Sequence, residues 1–194
     1  ILSLSPNDSR ARLMVIDVTL QRGDFERARS AIEQLPRTPG SDALRKYLEG
    51  RLLMSQQRWT EAIAVLDQAR RLTADSAGML ERTDLALAQC QAQLEDSDAQ
   101  LAAFRRVLKT NPQSVPARLG LASALLKSGQ APAAIAEYRQ LTDLTQVRLL
   151  LARLLIVQNQ QLPELARNWN EVERLLSEVD RAQYQPAEVA LLKS

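Results

Sequence analysis

The chain has 194 residues, 45% of them hydrophobic, enough to build a packed interior, and this excludes a disordered polymer. Its 25 Lys and Arg against 23 Asp and Glu leave a net charge of +2, too small for the field that a general nucleic-acid or membrane-surface binder uses. Histidine is absent, the single cysteine, Cys90, rules out an internal disulfide, and aromatics make up only 4%. Leu, Ala, Arg, Gln and Glu dominate, and these straight-chain helix formers predict an all-α protein. The most apolar stretch, Leu149 to Val157, is broken by Arg153 and falls short of the roughly 18 residues of a membrane span. The first residue is Ile1 rather than Met, and the last residues read as a helix from Pro186 to Lys193, so a piece excised from a longer protein is expected.

In chain order, the periodicity predicts helices in pairs: 8–22 with 24–35, 41–56 with 59–72, 78–94 with 98–110, 114–128 with 131–142, and 145–159 with 168–179. Breakers lie between the pairs, at Pro36-Arg37-Thr38-Pro39-Gly40, Asn111-Pro112 and Gln185-Pro186. One phrase recurs: Gly23-Asp24-Phe25-Glu26-Arg27-Ala28, Gln57-Arg58-Trp59-Thr60-Glu61-Ala62, Glu95-Asp96-Ser97-Asp98-Ala99-Gln100, Gly129-Gln130-Ala131-Pro132-Ala133-Ala134 and Arg167-Asn168-Trp169-Asn170-Glu171-Val172. Its third residues stand at 25, 59, 97, 131 and 169, giving steps of 34, 38, 34 and 38. Such a spacing with helical periodicity inside each unit predicts stacked helix hairpins. The units run over about 8–40, 41–75, 76–112, 113–143 and 144–180, with a further helix starting in 186–194, and no independent linker interrupts this single array over 1–194.

Inside a unit, Ala62, Ile63, Val65, Leu66 and Ala69 share one helix face, as do Leu101, Phe104, Val107 and Leu108. A lone hairpin cannot hide such a stripe, so neighbours must cover it. Small residues one position after an apolar or acidic one, in Glu49-Gly50, Leu87-Ala88, Leu121-Ala122 and Leu151-Ala152, let the two helices of a pair approach closely. These residues resemble the tetratricopeptide repeat. The second unit matches its pattern with Gly50, Leu53, Trp59, Ala62, Leu66 and Ala69, and the fourth with Leu121, Ala122, Leu125, Gly129, Ala134 and Tyr138. The third contributes Leu87, Ala88, Phe104 and Pro112 but has Gln100 where the family prefers Ala, and the first has Ile16 at the small position. In the fifth, about eight extra residues near Gln160 to Arg167 lengthen the turn between the two helices.

The resemblance implies a right-handed α-α superhelix, a solenoid of about five hairpins plus a C-terminal helix, whose first helices line a groove. Projecting the family's groove positions gives Arg10, Leu13, Asp17 and Leu20; Tyr47, Arg51 and Met54; Arg82, Leu85 and Gln89; Leu119, Ser123, Leu126 and Lys127; and Leu149, Arg153 and Ile156. Apolar residues flanked by basic ones suit a peptide or protein segment with acidic and hydrophobic side chains, so Tyr47, Met54 and Leu85 are expected as anchors and Arg51, Arg82 and Arg153 as charge partners. Leu and Met at these spacings also serve as packing between helices. The Lys and Asn clamp that some members use for a chaperone's C-terminal carboxylate is missing, because residues such as Leu13, Asp17, Ala86, Pro116 and Gly120 occupy those positions.

Other candidates have plainer readings. Trp59 and Trp169 stand where the family packs an aromatic between helices. Cys90 reads as a small filler, and the paired carboxylates Asp96 with Asp98 and Glu171 with Glu173 as helix-start charges favoured by the dipole. Without His, a Gly-rich phosphate loop or metal-spaced ligands, the chain is not expected to be an enzyme or to hold a cofactor. No nucleic acid and no membrane insertion are expected, against an RNA-binding helical repeat as the distant rival. The other alternative is a structural or self-assembling spacer that associates through open repeat ends, as in degenerate arrays of large, often envelope-associated bacterial proteins. The residues leave the compartment open, cytoplasmic or periplasmic.

Overall fold

The computed structural model describes residues 9–73 and 76–181, and the helix expected over 186–194 lies outside them, as does the side chain of Arg10. Among the described residues ten α-helices follow in order: Ser9–Gln21 (α1), Phe25–Glu33 (α2), Pro39–Ser55 (α3), Trp59–Leu72 (α4), Ala77–Gln93 (α5), Ser97–Thr110 (α6), Val115–Lys127 (α7), Ala131–Arg139 (α8), Thr145–Gln160 (α9) and Asn170–Arg181 (α10). Among the described residues there is no strand, and one 3₁₀ turn, Glu164–Ala166, lies between α9 and α10. The boundaries fall within three residues of expectation, and two of the differences have a local cause. Pro39 and Gly40 belong to α3 rather than to the connection before it, because Pro at the first helical position has no N–H to leave orphaned. There the Thr38 N–H donates to Ser41 Oγ at 3.0 Å and closes the helix start. The helix α8 stops at Arg139, three residues early, in a run of turns that the Leu141 N–H to Tyr138 carbonyl bond begins.

The helices gather into two compact units divided between Gln113 and Ser114, the join of the third and fourth repeats. In the first unit each helix packs on the next from α1 to α6, and the first helices of the hairpins also touch, α1 on α3 and α3 on α5. One cluster there holds Ile16, Leu20, Ala28, Ile32, Leu35, Leu48 and Leu52; another holds Ala62, Leu66, Ala86, Leu87 and Cys90. In the second unit α7 pairs with α8, α8 meets α9, and α9 pairs with α10. Its buried side chains include Leu121, Leu125, Tyr138, Leu151, Leu155, Leu175 and Val179.

Close approach within a hairpin is visible at Gly50. A Cβ built there would stand 2.6 Å from Cγ of Leu66, itself fully buried, so α3 and α4 meet at a distance that only glycine allows. The hairpin turns explain the recurring phrase. Its first residues, Gly23, Gln57, Glu95 and Gly129, all adopt positive φ, between 58° and 75°. The residue after each donates its N–H five residues back: Asp24 to Thr19, Arg58 to Leu53, Asp96 to Gln91 and Gln130 to Leu125, at 2.8–3.0 Å. This left-handed stop satisfies the last carbonyls of the helix and aims the chain into the next one. Asp24 and Asp96 then cap the helices that follow, accepting from the N–H of Arg27 and Ala99.

The fifth turn is built differently. Arg167 has φ −73°, and the extra residues form the 3₁₀ turn instead of a left-handed stop. Buried Asn159 closes this longer connection like a strand of backbone: its Nδ2 donates to the Asn168 carbonyl at 2.8 Å and its Oδ1 accepts from the Asn168 N–H at 3.0 Å. Charge also crosses between helices. Asp84 on α5 is only 3% exposed and accepts from Arg70 Nε of α4 at 3.1 Å and Arg106 Nε of α6 at 2.8 Å. Two guanidinium groups thus offset the cost of burying the carboxylate. In the second unit Arg139 of α8 grips Glu171 of α10 with two bonds, at 2.9 and 2.7 Å, and Arg118 of α7 reaches Glu137 of α8 at 2.8 Å.

Both arrangements can be checked by equilibrium urea unfolding. At Gln57 a side chain occupies the left-handed region at a cost that glycine avoids, so Gln57→Gly raises stability by about 1 kcal/mol and Gly129→Ala lowers it by a similar amount. Asp84→Ala leaves two guanidinium groups without their acceptor and lowers stability by about 2 kcal/mol, whereas Asp98→Ala, at an exposed helix start, changes it by about 0.5 kcal/mol.

Candidate partner-binding surface

The expected groove residues of the first unit sit on α1, α3 and α5, helices that touch in series, so their outward side chains share one face. Tyr47 of α3, expected as an anchor, is half-buried there. The ring packs against both hydrophobic clusters of the unit, and Arg51, one turn further along, stands 6.0 Å from the ring centroid. Burial pushes the Tyr47 phenol above its ordinary value; the nearby charges of Arg51 and Arg82 pull it down and that of Asp17 pushes it up. Asp17, Tyr47, Arg51 and Arg82 are therefore brought together from three helices.

Arg51, expected as a charge partner, is also paired within the chain. Its Nη1 is bonded to Asp17 Oδ1, the carboxylate 34 positions earlier at the equivalent place in the preceding repeat. The guanidinium is engaged within the chain, while Arg82 of α5 is exposed. Met54 and Gln89 line, with Ser55, Trp59 and Gln93, an open recess of about 300 Å³ between the ends of α3 and α5. Ser55 and Gln93 were not among the expected residues; their places, one turn from Arg51 and Gln89 on the same helices, are the sequence signal that points to them.

The other expected residues divide. Leu13 is half-buried and packs on the first cluster, and Leu85 is half-buried on α5. Leu20 and Leu149, at 7% and 4% exposure, belong to the core rather than to a groove, and Leu20 sits in the first cluster with Ala28 and Ile32 of α2. In the second unit Ser123 and Lys127 of α7 and Arg153 of α9 are exposed, and Leu119, Leu126 and Ile156 are half-buried.

The remaining candidates resolve individually. Trp59 packs against the second cluster as well as lining the recess. Trp169 differs from expectation: it precedes α10 and is 36% exposed, because the lengthened connection delivers it outside the helix rather than into its first turn. Cys90 is fully buried among Leu66, Ala86 and Leu87, and burial pushes its thiol up to about 11. Glu171 is more than a helix-start charge, since the hydrogen bonds from Arg139 hold its carboxyl below the usual value. Sequence reasoning missed Asp84 with Arg70 and Arg106, although a carboxylate at the middle of Leu80, Asp84 and Leu87, on one helical stripe, flags a buried pair. Among the described residues, no three Cys, Asp or Glu side chains converge as metal ligands would, and no helix is long and apolar enough to cross a membrane.

Among the described residues, buried Cys90 and Tyr138 and half-buried Tyr47 have raised values in the folded chain, each mainly through loss of solvent. A raised folded value means that the unfolded chain releases its proton first, so the stabilisation is complete below the unfolded value and is lost as pH climbs toward the folded one. The midpoint of urea unfolding is expected to fall as pH rises from the ordinary thiol value of 9.0 toward about 11, and Cys90→Ala to flatten part of that slope.

Models of the tetratricopeptide repeat match residues 16–77, 47–115 and 92–147. No curated protein matches the chain in sequence. Among solved structures, the type IV pilus biogenesis factor PilW is similar with a TM-score of 0.71 at 16% identity, covering 100% of this chain and 86% of that one. Pseudomonas aeruginosa pilF gives 0.66 at 17%, covering 99% and 84%, and YrrB, described as a TPR protein with an unusual peptide-binding site, gives 0.61 at 14%, covering 99% and 95%. At these identities the likeness is one of fold. Matched by repeat models from residue 16 to residue 147 and built of helix hairpins, the chain belongs to the tetratricopeptide repeat family.

Proposed function

We propose that the face formed by α1, α3 and α5 takes a peptide or protein segment carrying an apolar side chain next to an acidic one. The fold itself is a protein-interaction scaffold and is typically non-catalytic. The observation that carries the finer reading is the recess of Met54, Ser55, Trp59, Gln89 and Gln93 on the helices that also present Tyr47 and exposed Arg82. An apolar side chain suits Met54 and Trp59, the amides of Gln89 and Gln93 offer donors and acceptors to a peptide backbone, and Arg82 offers an unburied cation for the acid. Asp17 already occupies Arg51, so Arg82 rather than Arg51 is the charge partner. That a protein of similar fold, YrrB, is described with a peptide-binding site supports a peptide as the ligand class. The near-balanced charge favours this over RNA, and the burial of Cys90, the one thiol, favours binding over catalysis.

Fluorescence titration with labelled peptides of alternating Leu and Glu tests the reading. Arg82→Glu and Met54→Glu are each expected to weaken binding by about tenfold, the equivalent of about 1.4 kcal/mol, with helical content unchanged. Lys109→Glu, exposed on α6 and outside that face, is expected to leave it unaltered. Equal affinity for all of these variants would discard the surface.

A further inference from the structure

Two features have no part in that surface. The first is the connection between α9 and α10, where Leu165 is fully exposed at 103%, with Leu162 at 40% and Trp169 at 36%. This prominence is held rather than loose. Beyond the paired bonds of Asn159 and Asn168, Arg167 Nε donates to the Leu162 carbonyl at 3.1 Å and the Ala166 N–H to the Pro163 carbonyl at 2.8 Å. A rigid apolar projection loses little freedom when it docks. The second feature is a recess of about 260 Å³ between α2, α3 and α4, lined by Ile32, Leu52, Leu53 and Val65, with exposed Arg29 and Glu33 of α2 on its rim and Gln56 and Glu49 of α3, the latter paired with Lys46, beside them.

The two are both apolar at the centre, and each carries one acid and one base beside that centre. The projection is one leucine flanked by Glu164 and Arg167, an acid and a base three residues apart. Glu164 opens the 3₁₀ turn and Arg167 follows it directly in extended backbone. On the rim, Arg29 and Glu33 are four apart on an α-helix, with side chains about 5–6 Å apart and of opposite order in sign. Arg29 lies 3.9 Å from Glu26, both of them exposed.

The geometry points to a head-to-tail contact between two copies of this chain: Leu165 of one enters the recess of the other, with Glu164 meeting Arg29 and Arg167 meeting Glu33. The contact is heterologous, so each copy in it keeps one recess or one projection unused and can take a further copy. It leaves the α1, α3 and α5 face open, and it stands whether or not that face binds peptide.

Sedimentation velocity from about 1 µM to about 1 mM, the range of weak contacts, reads it directly. The wild-type chain is expected to associate progressively. Leu165→Asp, which removes the projection, and Val65→Arg, which blocks the recess, are each expected to remain monomeric with unchanged helical content. If Val65→Arg lowers the helical content, Arg29→Glu on the exposed rim takes its place. An equimolar mixture of the two variants retains one intact projection and one intact recess, and is expected to form a one-to-one dimer that grows no further. A wild-type chain that stays monomeric throughout, association by either variant alone, or a mixture that stays monomeric would each overturn the contact.

Discussion

Mutual burial of apolar helix faces is the interaction on which the rest of this structure depends. A two-helix hairpin has no interior of its own. Leu66 is sealed because Gly50 lets α3 come against it on one side and Leu87 and Cys90 of the next hairpin cover it on the other. The hairpins of the first unit are tied in the same way by Tyr47, whose ring contributes to the clusters on both sides of α3. Removing water from these faces supplies the driving force, and its lack of directionality explains why degenerate repeats with Ile16, Gly50 or Ala88 at related positions still stack.

Direction comes from the backbone. Four turns use the same left-handed stop, and two of them do so with Gln57 and Glu95 rather than glycine. The hydrogen-bonding requirement of the helix end outweighs the steric preference of those side chains, so the geometry persists where the residue type does not. The fifth turn shows the alternative. With extra residues to accommodate, the chain gives up the left-handed stop, and a side-chain amide, Asn159, supplies the pairing that the backbone supplied elsewhere. The same substitution of means leaves Leu165 outside any hairpin interface.

Polar groups refine the pattern rather than create it. Asp84, buried between Arg70 and Arg106, ties three consecutive helices at one point, and the Asp17 to Arg51 pair joins equivalent positions of two repeats. The second pair bears on the proposed binding. In a repeat array an acid and a base one period apart on the groove face find each other before they find a partner, which lowers the charge available to a ligand. Arg82, shifted along α5, is exposed instead.

Much of this was legible in the residues. The steps of 34 and 38 and the helical stripes determined the all-α class, the hairpin pairing and most helix bounds, because period and composition act locally and every repeat votes for the same answer. The extra length before α10 could be counted directly. What only the tertiary structure decided was pairing across repeats: that Arg51 is held by Asp17, that Leu20 and Leu149 face inward, that Trp169 stays exposed, and that Met54, Ser55, Trp59, Gln89 and Gln93 enclose one recess. Those outcomes depend on how far one helix is rotated against its neighbour, a quantity set by the close approach at residues such as Gly50 and by the turn geometry, and no single stretch of sequence carries it.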